Sequence, residues 1–255
     1  MLSDILNSLS KIKTLFYLAS LEIKYKYTRT TLGALWNTLT ALIFIFIVSS
    51  VYSYILNENQ SNLFLYSSIG YIFWLFCSSI IIESLTVIID NKAILQDIKI
   101  NIIDLFLRLL VKNFIILLHN SLIIIVSIYF YSEGISLLNI FIFVINFLLV
   151  VCILFFVSII LAISALVYRD LIHLVNTSMF LFFLITPIFW TTKTSINTFF
   201  VFYNPFLYII DILRYPLLNQ SIPIQSYFVV IAMLLILIFL STFCYKKSKQ
   251  LYYLF

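Results

Sequence analysis

Residues 138–167 read LNIFIFVINFLLVVCILFFVSIILAISALV, thirty positions without a charged side chain. A bilayer core is crossed by about 20 apolar residues of α-helix. The run exceeds that length, so it predicts a spanning helix that tilts or extends past the lipid. The remainder of the chain has the same character. Of 255 residues, 64% are hydrophobic and 10% charged, against about 45–50% and about 25% in soluble domains. Lipid is therefore the expected solvent. With only three Gly and four Pro, most of the chain is free to be helical, and helices satisfy their own backbone groups in hydrocarbon.

Outward from that run, five further apolar segments reach spanning length: 32–56, 63–89, 107–131, 171–190 and 227–245. Residues 191–226 hold two shorter apolar pieces, 199–203 and 206–218, broken by Asn204-Pro205 and ended by Pro216 and Pro223. Each is too short to cross and predicts a re-entrant or interfacial outer helix. With six crossings, both termini and every basic residue except Lys193 and Arg214 fall on one side, which the positive-inside rule makes cytoplasmic. A seventh crossing would carry Lys246, Lys247 and Lys249 to the wrong side. The predicted fold is an all-α integral membrane protein of one domain, 1–255. An N-terminal interfacial helix (1–31) precedes a six-span bundle (32–245) and a tail (246–255).

At the N-terminus, Leu2, Ile5, Leu6, Leu9, Ile12, Phe16 and Ala19 recur every three or four residues, while Asp4, Asn7, Ser8 and Lys11 take the other side. That pattern predicts an amphipathic helix at a membrane surface or against partner helices. Asp4 interrupts what would have to be the apolar core of a signal peptide.

Several function classes lack their residues. Cys77, Cys152 and Cys244 show no metal-ligand spacing, and the two histidines stand far apart. Gly33, Gly70 and Gly134 cannot supply a GxxxxGK[ST] loop, so any ATP that drives this protein must bind another chain. No GxSxG or HExxH occurs. Glu83 is the one carboxylate well inside a span, which argues against ion coupling at a midplane site. The net charge of +5 reports orientation rather than nucleic-acid binding.

Four motifs occur in order along the chain. They are Lys26-Tyr27-Thr28-Arg29-Thr30-Thr31-Leu32-Gly33-Ala34-Leu35-Trp36, then Gly70-Tyr71-Ile72-Phe73-Trp74 with Glu83 and Asn91 downstream. Tyr168-Arg169-Asp170-Leu171 follows, and last Thr186-Pro187-Ile188-Phe189-Trp190 with Asn204-Pro205, Asp211 and Arg214. Together they resemble the permease subunits of ABC-type polysaccharide exporters, which move O-antigen (lipopolysaccharide), capsule or teichoic acid chains on lipid carriers. The resemblance implies a homodimer in the cytoplasmic (inner) membrane, enclosing a channel. Two copies of a separate ATPase would bind the ATP and magnesium, with no cofactor on this chain. The N-terminal helix and residues 90–104 would face those ATPases, so Asp90, Asn91, Lys92, Asp97 and Lys99 become candidates for coupling. Arg169 and Asp170 join them through the third motif, or form a local ion pair at a tight turn.

Lys26 and Arg29 are candidates to receive the diphosphate of a polyprenyl-linked glycan, since Arg offers bidentate geometry; ordinary anchoring is the alternative. Tyr52, Tyr66, Tyr71, Phe73, Trp74 and Trp190 could stack sugar faces along a channel, or form an interfacial belt or core. Asp104, Arg108 and Lys112 recur every four residues, an acid-first spacing that suits an i,i+4 pair. His119 follows on nearly the same face; the polar stripe either faces the channel or bonds between helices, and the second is expected of His119. Rival readings are an ABC exporter of small amphiphiles and a membrane-embedded lipid or sugar transferase.

Overall fold

The computed structural model describes residues 1–28, 30–92, 95, 101–131, 134–190 and 201–251, and among these no strand occurs. The helices are α1 (Leu2–Leu9), α2 (Ile12–Lys26), α3 (Leu35–Leu56), α4 (Gln60–Ser84), α5 (Val87–Asp90), α6 (Ile102–Tyr131), α7 (Leu137–Val167), α8 (Leu171–Ile185), α9 (Pro205–Leu217) and α10 (Ile224–Leu251). Helices α3, α4, α6, α7 and α10 are each long and apolar enough to cross a bilayer. The chain is an all-α integral membrane protein.

Helix α4 stands at the centre, packed on α3, α6, α7, α8 and α9. Its buried Ser67, Ser68, Gly70, Cys77 and Ser84 are small enough to let neighbouring backbones approach closely. The outer helices do the reverse. Ile43, Phe46 and Ile47 on α3, with Phe228, Leu235 and Phe239 on α10, point away from the bundle, as side chains solvated by lipid must.

Two sequence expectations change. The segment expected to cross over 171–190 is helical only to Ile185, because Pro187 disfavours the helical region for the residue before it. Thr186 is accordingly extended, at φ −73° and ψ 132°. Fifteen residues rise about 22 Å, short of the roughly 30 Å hydrocarbon core. Thr186, Ile188, Phe189 and Trp190 continue as non-helical chain buried in protein, the setting in which such backbone is tolerated at membrane depth.

Pro216 was expected to end a helix and instead lies inside α9. A proline there cannot donate to the carbonyl four residues earlier, which belongs to Ile212. Asn146 of α7 fills the gap, its Nδ2 donating to the Ile212 oxygen at 2.6 Å. Its Oδ1 accepts from the Tyr227 hydroxyl at 2.8 Å, which lies 2.9 Å from the Tyr215 hydroxyl. Helix α9 is thereby fixed between α7 and α10, and all but two of its thirteen residues are buried. Of the other expected outer piece, 199–200 lie outside the described residues, and Val201–Tyr203 lead into the Asn204 cap.

The two ends of the chain meet. The Tyr245 hydroxyl donates to Asp4 Oδ2 at 3.0 Å, and α10 continues past Tyr245 to Leu251 rather than stopping at the span. Helix α2 packs on the bundle itself: Leu15, Ala19 and Ile23, four residues apart, are buried, and α6 is its main neighbour. Thr38, near the start of α3, donates to Asn120 in the middle of α6 at 3.0 Å. The first turns of α6 therefore extend beyond α3 at this terminal end of the bundle, and α2 flanks them.

Candidate functional site: a charged cavity at the terminal end

The site begins with the face of α6 that leaves the lipid. Arg108 and Lys112 are one turn apart on that face and only partly exposed, so each must find an acid. They find them on other helices. Arg108 Nε lies 3.0 Å from Glu22 Oε1 of α2, and Lys112 Nζ lies 3.5 Å from Glu22 Oε2 and 3.0 Å from Glu83 Oε2 at the end of α4. Arg108 Nη2 also donates to Asn91 Oδ1 at 2.7 Å, and Asn113 Nδ2 donates to Glu83 Oε2 at 2.9 Å. Asn91 in turn donates to the Val87 carbonyl at 2.7 Å, which closes the α5 turn around it.

Glu22, Glu83, Asn91, Arg108 and Lys112 line a cavity of about 300 Å³, together with Asp90, Thr86 and the apolar Val87, Leu105 and Leu109. Glu22, Glu83 and Asp90 face Arg108 and Lys112 across it, so the lining is close to charge balance. A second ion pair, Lys11 Nζ to Asp104 Oδ2 at 3.5 Å, joins α2 to α6 one turn before Arg108. The order Lys11–Asp104, then Glu22–Arg108 and Lys112, means that α2 and α6 run in the same sense here. The ion pairs and hydrogen bonds tie the peripheral α2 to α6, α4 and the Asn91 turn after α5.

The expected i,i+4 pair within α6 does not form. Asp104 pairs with Lys11 and Arg108 with Glu22, because burial against α2 offers each a closer partner than its own helix. His119 bonds to the Ile115 carbonyl of its own helix at 2.8 Å rather than to a neighbouring one. Interhelical bonding is done by Asn113, Asn120 and Ser127, all buried. Asn113 holds Glu83, Asn120 accepts from Thr38, and Ser127 donates to Ser68 at 3.3 Å. Sequence reasoning missed this stripe, although its signal, three small polar residues at seven-residue spacing, stands in the sequence.

The remaining candidates fall in three places. Asp90 and Lys92 are exposed and Asn91 is buried, all beside the charged cavity; Asp97 and Lys99 lie outside the described residues. Lys26 is exposed, its ammonium 5.8 Å from the Tyr27 ring centroid, while Arg29 lies outside the described residues. Arg169 and Asp170 are both exposed at the α7–α8 turn, and the local ion pair expected between them is absent among the described residues. Water at an exposed turn solvates both charges and leaves little gain from pairing.

The aromatic candidates gather around α4. Tyr71 lies 4.8 Å from Phe44 and 5.8 Å from Phe189 between centroids, and Tyr52 stacks on Phe189 at 6.3 Å. Trp74 meets Phe206 edge-on at 4.9 Å, and Phe73 packs on Phe143 at 5.7 Å. Phe73, Trp74 and Trp190 are buried against protein. Tyr66 lies under Arg214, whose Cζ is 3.7 Å from the ring centroid. Near it, burial holds the Asp211 carboxyl above the usual carboxylate range, opposed by the Arg214 charge and a hydrogen bond from Ser226.

Comparison with protein-family models finds no match to this chain, and comparison with curated proteins finds none either.

Proposed function

We propose that this chain is the channel-forming subunit of an exporter that moves a polyprenyl-diphosphate-linked polysaccharide across the cytoplasmic membrane, powered by a separate ATPase. The ordered resemblance of the four motifs supports the class. The observation that carries the reading is on α8. His173, Asn176 and Thr177 form a polar stripe on one face, continued by Phe180 and Leu184, and all five are exposed. Lipid is a poor solvent for such a face, and a fifteen-residue helix is too short to cross alone. Both features fit a helix that lines a water-filled path shared with a second copy. The charged cavity, lined by Glu22 of α2 with Asp90 and Asn91, supports a coupling contact for the ATPases at these residues.

Lys26 and Arg29 are assigned to the lipid diphosphate. Replacing Arg29 by Ala is expected to leave assembly with the ATPase intact and to reduce glycan export. Unchanged export removes the diphosphate role. Export that continues after deletion of the ATPase overturns the class.

A further inference from the structure

Lys112 stands between two carboxylates carried by different helices. Its ammonium is 3.0 Å from Glu83 of α4 and 3.5 Å from Glu22 of α2, beside a cavity of about 300 Å³. We infer that Lys112 is a two-position latch. It exchanges between Glu83 and Glu22 as α2 shifts along α6, so that the peripheral helix moves without stranding a charge.

Three features of the surroundings fit a latch better than a fixed strut. First, each acid keeps a second hold when Lys112 leaves it: Glu22 keeps Arg108 at 3.0 Å, and Glu83 keeps Asn113 at 2.9 Å. Neither carboxylate is left without a partner in either position, and with side chains 37% and 34% exposed neither Glu22 nor Glu83 becomes a stranded charge on exchange. Second, the cavity gives a long, flexible side chain room to swing, whereas close-packed surroundings would hold one rotamer. Third, the holds differ in stiffness. The two carboxylates are about equally exposed. Glu83 is anchored by Asn113, 2% exposed in the core, whereas Glu22, on a helix at the edge of the bundle, is anchored by the partly exposed Arg108. The mobile side of the latch is therefore α2, and the fixed side is the α4–α6 core. The latch is independent of what the protein transports.

The test measures α2 against α4 in the full chain. Spin labels are placed at Tyr17→Cys and Ile82→Cys, both exposed positions, with Cys77, Cys152 and Cys244 replaced by Ala, and distances are recorded in lipid nanodiscs. Two distance populations are expected. Glu83→Gln leaves Lys112 to Glu22 and enriches the population with α2 clamped to α6. Glu22→Gln enriches the other. Each shift is expected to be on the order of fivefold in population ratio. Lys112→Arg, which keeps a charge able to reach both acids, retains both populations. One distance in all variants, or shifts of the same sign in Glu83→Gln and Glu22→Gln, overturns the latch. If Glu83→Gln fails to fold, Lys112→Gln decides: it removes the exchanging charge and leaves Glu22 with Arg108 and Glu83 with Asn113. An unchanged ratio then rejects the exchange, and loss of one population supports it.

Discussion

Arg214 brings a permanent charge into the opposite end of the bundle with 2% of its surface exposed. Nη1 donates to the Pro187 carbonyl at 3.0 Å, an oxygen that also accepts from the Tyr66 hydroxyl at 3.2 Å. Nε and Nη2 have no hydrogen-bond partner among the described residues. The Tyr66 face compensates in part, since a desolvated cation over an aromatic ring is worth about 2 kcal/mol. Gly70 makes the arrangement fit, because a Cβ there would collide with Nη2. Gly70→Ala is therefore expected to cost about 1–3 kcal/mol through overpacking. In an Arg214→Ala background the same change should cost much less, because the obstructing group has gone. Thermal unfolding of the four variants in detergent measures the coupling. Equal costs in both backgrounds would show that Gly70 does not serve the guanidinium.

At the scale of elements, α2 is held to α6 by an apolar stripe and three ion pairs, one from its Lys11 cap and two from Glu22. Ala19 is fully buried in that seam. Ala19→Phe has no space to enter and is expected to weaken docking by about 1–3 kcal/mol, read as faster proteolytic cleavage between α2 and α3 in membranes. An unchanged cleavage rate would mean that α2 is held by its ion pairs alone. Here the sequence was partly legible. Uncharged runs announced the spans, because they are local patterns. The spacing of Leu9, Ile12, Phe16 and Ala19, by contrast, announced one amphipathic helix where the chain forms two, α1 and α2. Of these four residues only Ala19 is buried, the seam being Leu15, Ala19 and Ile23. The partners of Arg108 were not legible. Asp104 satisfied the local template, and Glu22, far away along the chain, gave no local sign of its closeness. Pro216 misled for a similar reason. Its helix survives because Asn146, on another helix, takes the carbonyl that the proline leaves open. The stripe Asn113, Asn120 and Ser127 was readable at its seven-residue period and shows where α6 needs protein neighbours.

For the whole molecule, the contact between Asp4 and Tyr245 puts both ends of the chain at one end of the bundle. Cysteines introduced at Ser3 and at Lys246, in a background without the native three, should therefore react with a membrane-impermeant thiol reagent from the same face of sealed vesicles. Reaction from opposite faces would contradict the arrangement of α10 beside α1.

That contact also sets a schedule for biosynthesis. Its partners are 241 positions apart, and at roughly 5–20 residues per second a ribosome needs about 10–50 s to deliver the second after the first. Until α6 is made, the α1–α2 segment lacks the helix it packs on, and until Tyr245 is made, Asp4 lacks that hydroxyl. The seam on α6 therefore forms before the contact at Tyr245, and α10 joins α1 only after the helices between them have been made.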